Sequence, residues 1–249
     1  MPEPAFVLHT RSFRESSLIA ELLTPDHGRV GVVARGGRRG RRGGAGALQP
    51  FTLLQAEWSG RGELRTLTQA EPERSFLLAG ERLFAGLYLN ELLLRLLHRD
   101  EAQPEIFDSY LHTLDALIGG ADLEPALRRF ELHLLADLGY GFALDHDVNG
   151  EPIAAAGQYR FLADEGLMPV ADCVRDGVRD GLRDEVREGR DATLFLGGHL
   201  LALAVDALDD SEVRRSAKRL TRLALASHLG GRPLRSRELF RRKPVNFAD

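Results

Sequence analysis

With a single cysteine, Cys173, among 249 residues, the chain has no internal disulfide and no multi-cysteine zinc site. Lysine is almost as scarce: Lys218 and Lys243 are the only two, a bias that points to a GC-rich genome more than to function. No apolar run is long enough to span a bilayer, and MPEPAFVLHTR has neither the charge pattern nor the apolar core of a signal peptide. A cytoplasmic protein without membrane contact is therefore expected. Catalytic motifs are missing too. Neither lysine ends a G-x-x-x-x-G-K-[ST] loop, and there is no H-E-x-x-H and no G-x-S-x-G. His98, His112, His133, His199 and His228 each fall alone on predicted helices, as packing or surface residues rather than ligands or bases. Asp145-His146-Asp147 reads as a polar loop after a helix, because three consecutive residues rarely converge on one ion. No catalytic residue, metal or cofactor is expected, and the chain is not read as an enzyme.

The most distinctive segment present is Arg35–Gly46, RGGRRGRRGGAG, which sets Arg35, Arg38, Arg39, Arg41 and Arg42 among six glycines. It holds no acidic and no large apolar residue, so nothing in it favours burial, and a cationic arm is predicted. Strand-like residues flank it: Arg29–Ala34 before, Phe51–Ala56 after. A basic arm between two strands of a small β-domain suits a phosphate backbone. The alternative is a solvated linker. Arg61 and Arg65 lie across a Gly-rich hairpin from Trp58, and Arg14 and Arg29 border earlier turns, which favours the binding reading. Trp58 itself is either a stacking platform or a core residue.

The net charge of −4 conceals a division of charge. Residues 1–70 carry 10 Arg against 6 acidic residues, residues 71–210 carry 12 against 28, and residues 211–249 carry 11 Lys+Arg against 3. A basic head and tail flank an acidic body, which points to a polyanion partner for the ends.

Five strands are predicted in the first seventy residues: 5–9, 17–23, 29–34, 51–58 and 63–68. Pro25–Gly28, the arm and Ser59–Gly62 supply the turns. Closure into an OB-type barrel removes the edges of five such short strands; an SH3-like barrel would read similarly. Beyond Pro72 the pattern is helical. Helices are predicted over 80–99, 104–118, a span opening at Asp122, 192–208 and 212–229, the last capped by Ser211. Between them, about 141–190, lies an irregular insertion with a hairpin at 158–162 and 167–170 and a polar, helix-like stretch at 172–190. The fold class is thus α+β: residues 1–75 a five-stranded barrel domain of the OB or a similar type, residues 76–249 a helical domain.

The stretches AFVLHTRSFRESSL (5–18), LLTPDHGRVGVVARG (22–36), LQPF (48–51) and GELRTLTQAE (62–71) resemble the N-terminal part of the bacterial RecO family of DNA repair proteins. LYLNELL (87–93) and RPLRSREL (232–239) resemble its first helical segment and its C-terminal signature, so the likeness runs in order over nearly the whole chain. The resemblance implies an OB domain followed by helices, and a recombination mediator of the cytoplasm and nucleoid. Such a protein binds single- and double-stranded DNA, anneals strands coated with single-strand-binding protein, and acts with RecR to load RecA. Many members carry a four-cysteine zinc module. The matching stretch here, Phe142–Cys173, keeps the hairpin and one cysteine, so zinc is not expected and packing around Tyr159, Phe161 and Leu167 must hold the loop.

For partners, Arg214, Arg215, Lys218, Arg219 and Arg222, beside Leu220, Leu223 and Leu225, are a candidate grip on the acidic tail of single-strand-binding protein. The alternative is a core helix with a solvated basic face. From other classes, an adaptor tethered to nucleic acid without annealing, or an enzyme with a dispersed site, stays open.

Overall fold

Small and β-branched residues alternating toward one side, Ala5 and Val7, Ala20 and Leu22, Val30 and Val32, Leu54 and Ala56, build the core of a closed five-stranded barrel. The computed structural model describes residues 1–35, 47–170 and 192–240. The strands are β1 (Glu3–Phe13), β2 (Ser17–Thr24), β3 (Gly28–Ala34), β4 (Thr52–Ser59) and β5 (Leu64–Ser75), in the order β1-β2-β3-β5-β4. All pairs are antiparallel except β3 with β5, where Gly31–Val33 lie beside Leu64–Thr66. That order is the OB order, which decides against the SH3-like alternative. β1 and β5 run well past their predicted ends. A bulge between Val7 and His9 lets β1 continue as a hairpin with β2 beyond the barrel, and the polar end of β5 stays paired to β4.

The opposite face of β1 is also buried. Phe6 packs against Phe76, Phe107 and Tyr110, with ring centroids 5.8, 5.0 and 4.9 Å away. The last two belong to helix α2 (Pro104–Ile118), opened by a proline whose missing N–H costs nothing at that position. Helix α1 (Glu81–Leu96) buries Leu89, Leu92, Leu93 and Leu96. Its Asn90 is fully used: the amide donates to the Leu8 carbonyl at 2.7 Å and accepts from the Tyr110 hydroxyl at 2.5 Å. Burial pushes the Tyr110 phenol upward in pKa, so it remains a donor.

The barrel ends at Ser75, but by packing the chain divides elsewhere. One compact unit comprises residues 1–123 with those from Pro233 onward, and the other comprises residues 124–232. The return of the C-terminal segment to the first unit rests on Glu91. Its carboxylate accepts from the N–H groups of Arg235 and Ser236 at 2.9 and 2.8 Å and from the Ser236 hydroxyl at 2.6 Å. Those bonds hold a short helix, α6 (Ser236–Leu239), against α1.

The second unit holds α3 (Leu123–Asp137, from its second residue), β6 (Gln158–Leu162), β7 (Gly166–Pro169), β8 (Leu194–Leu196), α4 (Gly197–Ala204) and α5 (Ser211–His228). The predicted hairpin is present as β6–β7. The predicted helix over 192–208 is corrected: its first apolar residues form β8, which pairs with β6 through Phe195 and Tyr159, and helix begins only at Gly197. The cap of α5 is Asp210, not Ser211; its carboxylate accepts from the Glu212 N–H at 2.6 Å. Tyr159, Phe161 and Leu167 are buried, and Phe142 meets Phe161 at 4.9 Å, so side-chain packing fills the hairpin region. The predicted helical stretch at 172–190, with Cys173, lies outside the described residues.

Burial alone would raise the Glu91 pKa, but the bonds from Ser236 and Arg235, with nearby Arg95, outweigh it and hold the carboxyl below its ordinary value. A depressed carboxylate stabilises the fold fully above the unfolded value of about 4.3 and loses that contribution as pH falls through the lower folded value. Glu91→Gln should therefore destabilise the protein near neutral pH, with the gap from the parent closing as pH falls below about 4. Chemical denaturation at several pH values measures this.

Candidate nucleic-acid interface

Strand register decides which of the candidate arginines share a surface. Phe13 pairs with Ser17 and Leu18 with Ala34, so Arg35, one residue past β3, lies beside the β1–β2 turn. That turn carries Arg14, exposed and with its guanidinium 5.1 Å from the Phe13 ring. Arg11 on β1 is exposed at the same end. The sequence reading missed Arg11, although its position two residues before the Phe13–Arg14 turn was available. An open groove of about 270 Å³ leads from Arg35 along Leu67–Glu71 of β5. Arg38, Arg39, Arg41 and Arg42 lie outside the described residues. Arg61, exposed in the β4–β5 turn, sits at the other end of β3, since Leu64 is beside Gly31.

Arg29 and Arg65 are engaged within the protein. Arg29 donates to the Leu94 carbonyl at the end of α1 and lies 3.6 Å from Glu21. Burial lowers its pKa, with Glu21 opposing and Arg99 adding to the effect. Arg29 is therefore a brace between barrel and helix. Arg65 meets Asp100 at 2.5 Å, and Arg99 meets Glu21 at 2.5 Å. These partners come from residues 97–103, which follow α1 and cross the outer surface of β2 and β3. The Asp100 N–H reaches the Arg29 carbonyl at 3.3 Å, and the Gln103 N–H reaches the Pro25 carbonyl at 2.9 Å. Two glycines make the crossing possible. A Cβ on Gly28 would lie 1.8 Å from the Glu101 carbonyl oxygen, and one on Gly31 would lie 2.5 Å from Nη1 of Arg99. The strand 2–3 face, where OB folds commonly take oligonucleotides, is thus partly covered by the protein's own chain.

Two further features restrict a polyanion. Trp58 is half-buried, packs on the barrel core and stands edge-on to His27 at 5.6 Å, which is a structural position. Gln55, Glu57, Gln69, Glu71 and Glu73 form a run of cross-strand neighbours on β4 and β5 whose carboxylates repel phosphate. Among the described residues of the barrel, exposed arginines stand at the Arg11–Arg14–Arg35 end and in the Arg61 turn.

In the second unit, the basic side chains of α5 divide by partner. Arg214 donates to the carbonyls of Leu208 and Asp209 at 2.9 and 2.6 Å, and Lys218 pairs with Glu124. Arg219 donates to the Leu194 carbonyl and lies over the Phe195 ring at 4.4 Å. Arg215, 69 % exposed and 2.6 Å from Glu212, and Arg222 face solvent. Leu220 and Leu225 are fully buried and Leu223 is half-buried, so the expected apolar rim beside these cations is largely core. A cavity of about 460 Å³ lies near the end of α5, between Tyr140, Phe142, Phe161 and His228. Asp147, Asp164 and Glu165 line it, the wrong sign for an acidic tail. The Asp145–Asp147 loop is a turn: Asp147 accepts from the N–H groups of Asn149 and Glu151 at 2.8 and 3.0 Å. Among the described residues no three His, Cys, Asp or Glu side chains converge as a metal-binding group, and no helix is long and apolar enough to cross a membrane.

A closed five-stranded barrel in the OB strand order, followed by helices, places the chain in the OB-fold class. Family models sharpen this: recombination protein O N terminal matches residues 1–76 and recombination protein O C terminal matches residues 77–238. The chain is 47 % identical over 240 residues to the DNA repair protein RecO of Pseudomonas aeruginosa strain LESB58, covering 96 % of this chain and 94 % of that one. Similar figures hold for the proteins of that name from Pseudomonas putida strain W619, 46 % over 242 residues with 97 % of each chain covered, and Halorhodospira halophila strain DSM 244 / SL1, 44 % over 243 with 96 % of each. The chain belongs to the RecO family of DNA repair and recombination proteins.

The two kinds of α5 arginine should separate on substitution. Arg219→Ala leaves a partly buried carbonyl and an aromatic face without their partner and should cost about 1 kcal/mol. Arg215→Ala should stay within about 0.5 kcal/mol of the parent. Urea titration of both variants tests the assignment.

Proposed function

We propose that the protein is a recombination mediator that binds single- and double-stranded DNA through the basic end of its barrel. It anneals complementary strands coated with single-strand-binding protein and, together with RecR, assists RecA loading. The observation that carries this reading is the grouping of exposed Arg11, Arg14 and Arg35 at the root of the arginine-glycine segment. Family membership supports the repair context.

Annealing makes and breaks no covalent bond. Two polyanionic strands repel, and cations shared between them lower that cost while the base edges stay free to pair. Arginines suit the task because they neutralise phosphate without reading sequence. The arm residues Arg38, Arg39, Arg41 and Arg42 supply most of the positive charge in this reading, and Arg14, Arg35 and Arg61 extend it over the barrel. For the acidic tail of single-strand-binding protein, the candidate contacts are the exposed side chains of Arg215 and Arg222 on α5, while Arg214, Lys218 and Arg219 bond within the unit.

If all five arm arginines contact phosphates, the log–log salt slope for single strands contains a contribution of about −3.5. Replacing Arg38, Arg39, Arg41 and Arg42 with alanine should make the slope shallower by about 2.8 units. Fluorescence anisotropy with a labelled oligonucleotide across a salt series measures this. An unchanged slope would move the site off the arm.

A further inference from the structure

Arg65 is an unusual cation to bury beside a candidate DNA surface. It lies on the strand that follows the exposed Arg61 turn, but its side chain is only 16 % exposed and its Nη2 meets Asp100 Oδ1 at 2.5 Å. Its Nε is buried and meets no acceptor among the described residues. The guanidinium fork is therefore only partly satisfied, whereas a phosphate offers several oxygens and binds both prongs of such a fork. Asp100 is 41 % exposed and has a positive φ of 58°, a conformation that aspartate tolerates better than most residues. It is carried by the segment that crosses β2 and β3, and its own backbone tie to the barrel is a single hydrogen bond of 3.3 Å to the Arg29 carbonyl.

We propose that Asp100 is a carboxylate gate on Arg65, occupying the place of a backbone phosphate until a strand bound at the Arg61 turn displaces it. This rests on the DNA-binding reading above and adds regulation to it. The neighbouring bonds explain why the exchange is local. Arg99 stays on Glu21 and Arg29 stays on the Leu94 carbonyl, so the crossing segment keeps its hold when the Asp100 side chain turns away. A partly exposed ion pair is worth little, so it yields to a phosphate held by several cations and reforms when the strand leaves. For a protein that must pass strands onward, such a contact makes the outer part of the grip easily released.

The test compares Asp100→Asn with Glu101→Gln, which removes the same charge from an exposed neighbour. Asparagine tolerates positive φ, so the first variant keeps its backbone. Asp100→Asn should bind a single-stranded oligonucleotide about two- to fivefold more tightly at low salt. Its log–log slope should steepen by about 0.7. Glu101→Gln should do neither, and adding Arg65→Gln to Asp100→Asn should remove the gain. Equal effects from Asp100→Asn and Glu101→Gln would reduce the effect to net charge and overturn the gate. Weaker binding by Asp100→Asn would instead make Asp100 a residue that positions Arg65, and would also overturn it. If the parent protein bound no oligonucleotide at all, the DNA-binding reading would fail first and the gate with it.

Discussion

The first unit depends on the burial of both faces of β1. Phe6 points away from the barrel core and is covered by Phe76, Phe107 and Tyr110; Leu8 is also buried, and its carbonyl accepts from the Asn90 amide of α1. A barrel whose outer wall is apolar cannot stand alone in water. Helices α1 and α2 are therefore part of its core, and the segment that joins them has to cross β2 and β3. That crossing sets Arg99 on Glu21 and Asp100 on Arg65.

From this follows a division of labour among arginines. Those near the crossing are spent on the fold: Arg29 on a helix carbonyl, Arg99 on Glu21, Arg65 on Asp100. Those at the ends of the barrel, Arg11, Arg14, Arg35 and Arg61, are exposed. A nucleic acid approaching the barrel meets an acidic β4–β5 wall, a partly covered β2–β3 face, and open positive charge at the ends. The same division recurs on α5, where Arg214 and Arg219 hold loops and Arg215 and Arg222 face water.

Much of the architecture was readable from residue pattern. Alternation in Phe51–Trp58 and Glu63–Thr68, the small and β-branched character of Arg29–Ala34, and the turns at Pro25–Gly28 and Ser59–Gly62 located the strands, and Pro104 marked the start of α2. The errors have local causes. Leu194–Leu196 looked like the first turn of an apolar helix, and only its pairing to β6, a contact made more than thirty residues away, turns it into strand. The end of β5, with Glu71, Pro72, Glu73 and Arg74, has the composition of a loop because its outer face is solvent. The fates of Arg29 and Arg65 were not legible, since a cation near a turn looks the same whether its partner is phosphate or a distant carboxylate. Trp58 was ambiguous for a similar reason: one aromatic in a small barrel serves the core or a ligand, and packing decides.

In the proposed function, charge neutralisation and partner contact, without a covalent step, drive the pairing of protein-coated strands. The most direct measurement is annealing of two complementary oligonucleotides precoated with single-strand-binding protein, with and without this chain, in the absence of nucleotide and added metal. Clear acceleration that weakens as salt rises is expected. Intact DNA binding with no acceleration would contradict it, and would leave an adaptor tethered to nucleic acid as the better description.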